Sequence, residues 1–253
     1  MSHRGEPGGQ EDAALPSGSS ESSRARLVFG AHWALLAFLI GLGGYHLLNV
    51  VFAVILPGTA ENDFGSAVVL AFVPTVALAG GPVIGSLLWG EGLPRDFHPL
   101  PNRHDLRVGL FCGSAALVVA YGLTWLLRPV YGDRELSDAP LRDVLSGLHG
   151  STVVLITVAV IMVLAAPLAE ELLMRGALWR ALAHYRVPPW AVLVVTSVLF
   201  AYLHTDSSRT LVLVGQGLAF GAARLITGRV GASVVAHAVN NTPPAALILV
   251  GAW

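Results

Sequence analysis

The sequence contains no lysine, a single cysteine and few charges of either sign. Asp, Glu, Lys and Arg make up 12% of the 253 residues, against roughly 25% in soluble domains, which excludes a water-soluble globular fold. Every basic residue is arginine, and the formal net charge of −1 comes from a few short polar stretches, so near-neutrality does not oppose burial in lipid. Cys112 stands alone in an apolar run and cannot form an intramolecular disulfide; it reads as a small buried hydrophobe. Neither a soluble domain nor an internal repeat is visible. Residues 1–27 are rich in Gly, Ser, Glu and Arg and have nothing apolar enough to form a core, so they read as a disordered tail. They are not a cleaved signal peptide, because the apolar run that follows is too long for an h-region.

What is present is apolar. Hydrophobic residues are 54% of the chain and mean hydropathy is +0.67. Apolar segments recur at 30–56, 67–90, 107–127, 151–173, 189–204, 209–226 and 230–252. A span needs about 20 residues at 1.5 Å each. The first four qualify, and the last three are shorter or interrupted. The expectation is an all-α, polytopic transmembrane bundle of about seven spans over residues 28–253. Pro57, Pro94, Pro101, Pro129 and Pro140 are expected in connections. Pro74, Pro82 and Pro167 fall inside spans and are expected to kink them. Gly217 and Gly221 form a small-xxx-small face where another helix can approach. With the N-terminus cytoplasmic, eleven of the fifteen arginines fall in inside stretches, which orients the chain N-in by the positive-inside rule.

The few polar groups within the apolar segments carry the chemistry. Glu170 and Glu171 are adjacent near the end of the fourth segment, where a charge needs a partner or a function. Arg175 is four residues after Glu171, on the same helical face, and can neutralise it while leaving Glu170 free. His204 ends the fifth segment. His237 and Asn241 stand one turn apart in the seventh. Each alone has a plain structural reading: a juxtamembrane acidic pair, a headgroup-facing histidine, an interhelical hydrogen bond. Together they are what hydrolysis needs: a carboxylate to take a proton from water, an imidazole to orient it, and donors for an oxyanion. Glu170, His204 and His237 are also a possible zinc set. If the chain turns near Val187, Glu170 and His204 each lie about 25 Å from the turn and come level. His237 lies only about 13 Å past a turn near Gly228, so the last helix must tilt or that turn must sit deeper.

Glu170-Glu171-Leu-Leu-Met-Arg175, Phe200-Ala-Tyr-Leu-His204 and His237-Ala-Val-Asn-Asn241 resemble the EExxxR, FxxxH and HxxxN motifs of the CPBP family of intramembrane proteases. That family includes the eukaryotic CAAX prenyl endopeptidase and the bacterial Abi, or bacteriocin-protection, proteins. The resemblance covers about residues 150–245, a CAAX-protease-like core; the first three spans carry no such pattern. It implies Glu170 as the essential glutamate with His204 as its partner on the water, His237 and Asn241 as oxyanion stabilisers, and Glu171 and Arg175 as the supporting pair. The family is commonly called metalloprotease, and a glutamate-activated water without metal is also proposed for it. The expected activity is hydrolysis of a peptide bond in a membrane-associated or lipidated peptide or protein, in a bacterial plasma membrane, with no nucleic acid as partner. CAAX specificity is not implied, since nothing in the sequence reads a prenyl group. The alternatives are a non-catalytic membrane immunity or scaffold protein that binds a peptide, and a transporter, which the lack of two comparable halves disfavours.

Overall fold

The computed structural model describes residues 27–55, 64–135, 152–204 and 208–250. The tail expected over residues 1–27 lies outside the described residues except for Leu27. That residue opens a small antiparallel hairpin of β1 (Leu27–Val28) and β2 (Ala31–His32). Its two-residue turn is made by Phe29 and Gly30, both at positive φ, as a tight hairpin of this length requires. Everything after it is helical: α1 (Trp33–Ile55), α2 (Phe64–Trp89), the short α3 (Leu93–Asp96) and α4 (Arg103–Glu135). A continuous rod follows, made of α5 (Thr152–Val160), α6 (Ala166–Glu171) and α7 (Trp179–His184). The chain then ends in α8 (Pro189–Leu203), α9 (Thr210–Thr227) and α10 (Val230–Val250). The all-α bundle expected from the sequence is what forms.

The count of spans differs from the expected seven. Among the described residues five helices are long and apolar enough to cross a bilayer: Trp33–Ile55, Phe72–Trp89, Arg103–Val130, Leu155–His184 and Thr210–Thr227. Helix α8 has 15 residues, short of the hydrocarbon thickness. Helix α10 is long enough at 21 residues but is interrupted by polar groups and two prolines. Pro129 lies inside α4 rather than in a connection, because loss of one N–H does not end so long an apolar helix.

The rod is flanked on two sides. On one, α1 and α2 pack as an antiparallel pair, crossing where Gly81 meets the backbone of Ala37 and Gly41, and Gly41 meets that of Leu78. On the other, α4 packs against α9 and α10, and α9 against α8. Gly217 lies on Ser197 and Gly221 on Leu193, so the small-residue face admits α8 as expected. Without a hydrophobic drive between helices in lipid, this close approach supplies the packing energy.

One end of the bundle is a polar girdle. Asp96 is buried and accepts from Ser86 Oγ at 2.6 Å and the Glu91 N–H at 2.9 Å, and pairs with Arg180 at 3.3 Å. Asp105 and Asn102 cap each other's N–H at the start of α4, each at 2.9 Å, and Asp105 also takes Arg229 Nε at 2.7 Å. The Phe97 and His98 carbonyls accept the N–H groups of Val230 and Gly231 at 3.0 and 3.1 Å. The 97–102 connection is thus tied beneath the α9–α10 turn. The arginine-rich stretches that the sequence assigns to one side therefore meet in space.

Substituting Gly81 by Leu should push α1 from α2 and cost about 1–3 kcal/mol. Gly43→Ala, where an added Cβ meets nothing within 4 Å, should hold or raise the midpoint through helix propensity. Thermal unfolding of the two variants in detergent reads the difference; equal midpoints would contradict this packing.

Candidate active site

Adjacent helical residues point about 100° apart, so Glu170 and Glu171 cannot share an environment. Two π-helical segments, Ile161–Ala165 and Leu172–Leu178, flank the short α6 that carries them. Pro167 accounts for the first: it has no N–H to give to Val163 one turn back, and the rod passes it with the wider i→i+5 pattern. Glu171 thereby faces α9 and α10. Glu170 faces a cavity shared with α1 and α2.

Glu171 and Arg175 are both 0% exposed. Arg175 Nη1 donates to Glu171 Oε1 at 3.0 Å, and Nη2 donates to the Gly217 carbonyl on α9. The guanidinium stands over the rings of Phe200 and Phe220, 5.2 and 5.9 Å from their centroids. Hydrogen bonds and ring faces replace the water that a buried cation loses. The division of the carboxylates expected from spacing is the one found: Glu171 is held by Arg175, and Glu170 is not.

Glu171 Oε1 also faces His237 Nδ1 at 3.1 Å. A carboxylate oxygen can only accept, so Nδ1 carries a proton and Nε2 is the nitrogen left to meet another group. The ring stacks on Phe220, with centroids 4.5 Å apart and planes at 16°. His204 is held in the same way, its Nδ1–H donating to the Phe200 carbonyl at 2.8 Å. Both Nε2 atoms then lie 3.9 Å from Glu170 Oε2. That oxygen is buried and makes no hydrogen bond of its own. Three motifs from three helices thus meet at one oxygen atom.

The level placement of Glu170 and His204 is as the turn arithmetic requires. His237 reaches the same level because the α9–α10 turn sits deep. Gly228, in the left-handed region at φ 70°, closes α9 with its N–H on the Arg224 carbonyl at 2.9 Å. Arg224 Nε in turn donates to the Arg175 carbonyl at 3.1 Å. The end of α9 therefore lies against Trp179 and Ala183 of the rod, and α10 starts from there.

Asn241 is placed differently from its expected role. Its Nδ2 donates to the Met162 carbonyl at 3.0 Å, and its Oδ1 accepts from Asn240 at 3.2 Å. Asn240 Oδ1 accepts from Gln216 at 2.9 Å. The amide chain ties α10 to the first π segment and to α9. The cavity beside Glu170 has a volume of about 210 Å³ and is lined also by Tyr45, Thr75, Leu78, Phe200 and His204. Tyr45 and Thr75 come from helices in which the sequence shows no motif; a polar residue inside an apolar span was the only signal.

The expected zinc set is spaced more widely than the ligands of a tetrahedral zinc. Ligands about 2.0 Å from a tetrahedral zinc stand about 3.3 Å apart, whereas Glu170 Oε2 is 3.9 Å from each Nε2. Among the described residues no three His, Cys, Asp or Glu side chains form a metal-holding group. Water fits the spacing better: two hydrogen bonds of about 2.8 Å span 3.9 Å at a near-right angle.

Residues 152–243 match the family model described as type II CAAX prenyl endopeptidase Rce1-like, the part of the chain that carries all three motifs. No curated protein and no solved structure matches the chain. The match is a likeness of that segment to the CAAX-type membrane endopeptidases.

Removing the Glu171 charge leaves a buried guanidinium unpaired, a loss of about 3–5 kcal/mol. Glu171→Gln should therefore lower the unfolding midpoint and the amount of folded protein recovered from membranes. Arg175→Lys should not be tolerated better, since an ammonium cannot serve Glu171 and Gly217 with a planar fork. A wild-type midpoint in either variant would show that the pair is not the support of this site.

Proposed function

We propose that this chain is an intramembrane endopeptidase of the CAAX type, with Glu170 as the base that activates water. The observation that carries the reading is the buried, unpartnered Glu170 Oε2 at 3.9 Å from Nε2 of both His204 and His237. Glu170 lies about 20 Å along the rod from its His184 end, near the middle of a bilayer whose hydrocarbon is about 30 Å thick. Water does not reach that depth without a cavity, and the one beside Glu170 opens between helices.

In the proposed reaction a water donates one hydrogen bond to Glu170 and the other to His204 Nε2. Glu170 takes a proton as the water oxygen attacks the peptide carbonyl carbon. The proton passes to the leaving nitrogen as the C–N bond breaks, and Glu170 is ionised again. His237 is assigned to the oxyanion of the tetrahedral intermediate, a role in which Nε2 must carry a proton to donate while Glu171 accepts from Nδ1. Asn241 acts as a positioning residue through the Met162 carbonyl. Tyr45 is assigned to substrate positioning on the far wall of the cavity.

The substrate class follows from access. The cavity is walled by Leu78, Leu173, Met174, Phe200 and Leu203, which suits an apolar or lipidated segment arriving from the bilayer. We place the protein as a multi-pass protein of a bacterial plasma membrane. The N-terminus is cytoplasmic, because the hairpin before α1 packs at the arginine-rich end: the His32 N–H donates to the Tyr185 hydroxyl at 3.1 Å, and Arg180 stands over Trp33.

Purified protein with a fluorogenic library of membrane peptides tests this reading. Glu170→Gln should lower turnover at least about a thousandfold, as loss of base and water orientation together implies, with an unchanged unfolding midpoint. Tyr45→Phe should raise KM more than it lowers kcat. Turnover that survives Glu170→Gln would overturn the site. Peptide bound by the wild type and never cleaved would put the immunity or scaffold reading ahead.

A further inference from the structure

Arg224 differs from Arg180 and Arg229, its neighbours at this end of the bundle. Arg180 is paired with Asp96 and Arg229 with Asp105. Arg224 has no carboxylate within ion-pair distance among the described residues; its recorded hydrogen bond is from Nε to the Arg175 carbonyl. The charges closest in effect to it are Arg180 and Arg229, both of its own sign. The same field is felt at the surface: burial, then Arg229 and Arg224, push the His98 imidazole below its ordinary range, with Asp105 opposing and Arg180 adding. Two of three guanidinium charges are cancelled, and the surplus is on Arg224.

That surplus charge faces a recess of about 300 Å³ lined by Trp179, Ala183, Val187, Pro189, Val192, Arg224, Leu225 and Gly228. Gly228 lies beside Arg224 Nη1, where an added Cβ would stand 3.9 Å from it. The walls are apolar and contain no acid. Tyr185 and Trp190, 48% and 69% exposed, lie at the same end between α7 and α8, where amphipathic rings mark the headgroup level. A half-buried guanidinium at that level, lining a recess with apolar walls, can take phosphate oxygens on its fork while hydrocarbon packs alongside.

We propose that this recess binds the phosphodiester headgroup of an anionic phospholipid, with Arg224 on the phosphate and the apolar walls against the first methylenes of its chains. The apolar walls and the interfacial rings favour a lipid over a free anion. The site is separate from the Glu170 cavity, and the inference stands whether or not the chain is a peptidase. Arg224 also holds the Arg175 carbonyl, so lipid bound there rests directly against the rod that carries Glu170 and Glu171.

The test is native mass spectrometry of the full chain in neutral detergent, with phosphatidylglycerol, phosphatidylcholine or inorganic phosphate as the added probe. Wild type should bind phosphatidylglycerol at least about tenfold more tightly than phosphatidylcholine. Arg224→Gln should lose that preference, and so should Val187→Glu, which places a carboxylate in the recess and leaves Arg224 and its bond to Arg175 intact. If Arg224→Gln does not fold, Val187→Glu decides. Arg95→Gln, at the same end but outside the recess, should keep the preference. Equal binding of the two lipids by wild type, or a preference kept by Val187→Glu, would overturn the proposal. So would inorganic phosphate that binds wild type and displaces phosphatidylglycerol, because the occupant would then be a free anion.

Discussion

A guanidinium taken wholly out of water governs this structure. Arg175 is too costly to bury alone, and its fork is satisfied from two directions: Glu171 one turn back on its own helix, and the Gly217 carbonyl on α9. The second bond requires α9 to come close, which a glycine at 217 permits against Ser197 of α8. Phe200 and Phe220 then close over the cation. The same Glu171 oxygen that takes Arg175 also takes His237 Nδ1. One buried ion pair therefore sets the approach of α8, α9 and α10 to the rod and aims one of the two imidazoles.

The neighbouring carboxylate gains its character from what that network leaves out. Glu170 is one residue away and about 100° around the helix, on the side where α1 and α2 rather than α9 and α10 are packed. It receives neither the arginine nor a backbone N–H. Two imidazoles, each fixed by its Nδ1 bond to an acceptor, turn their Nε2 atoms toward its oxygen. An isolated carboxylate at that depth is expensive, and the cavity beside it is where a water and a peptide can meet it.

Support for the site extends to the end of the bundle. The 97–102 connection lies beneath the α9–α10 turn, holding Val230 and Gly231 by their N–H groups, with Phe97 against Gly176. Asp96 and Asp105 anchor that connection to Arg180 and Arg229. The polar girdle at the interface thus keeps the deep turn in place, and the deep turn brings His237 level with Glu170.

Composition and spacing by themselves determined that the chain is a helical membrane protein, that Glu171 rather than Glu170 pairs with Arg175, and that Glu170 and His204 come level across the turn at Val187. Each of these depends on local helical geometry or on the cost of charge in lipid, and both act within one segment or one hairpin. Tertiary structure decided the rest. Among the described residues five helices are long and apolar enough to cross a bilayer, and α8 and α10 pack against them. Asn241 turned to Met162, because a π segment beside Pro167 offers a carbonyl there that a regular helix would use internally. The depth of the α9–α10 turn depends on hydrogen bonds to residues more than a hundred positions away. Tyr45 and Thr75 reach the cavity only because two motif-free helices pack against the rod, and side-chain spacing along one helix carries no information about which other helix will face it.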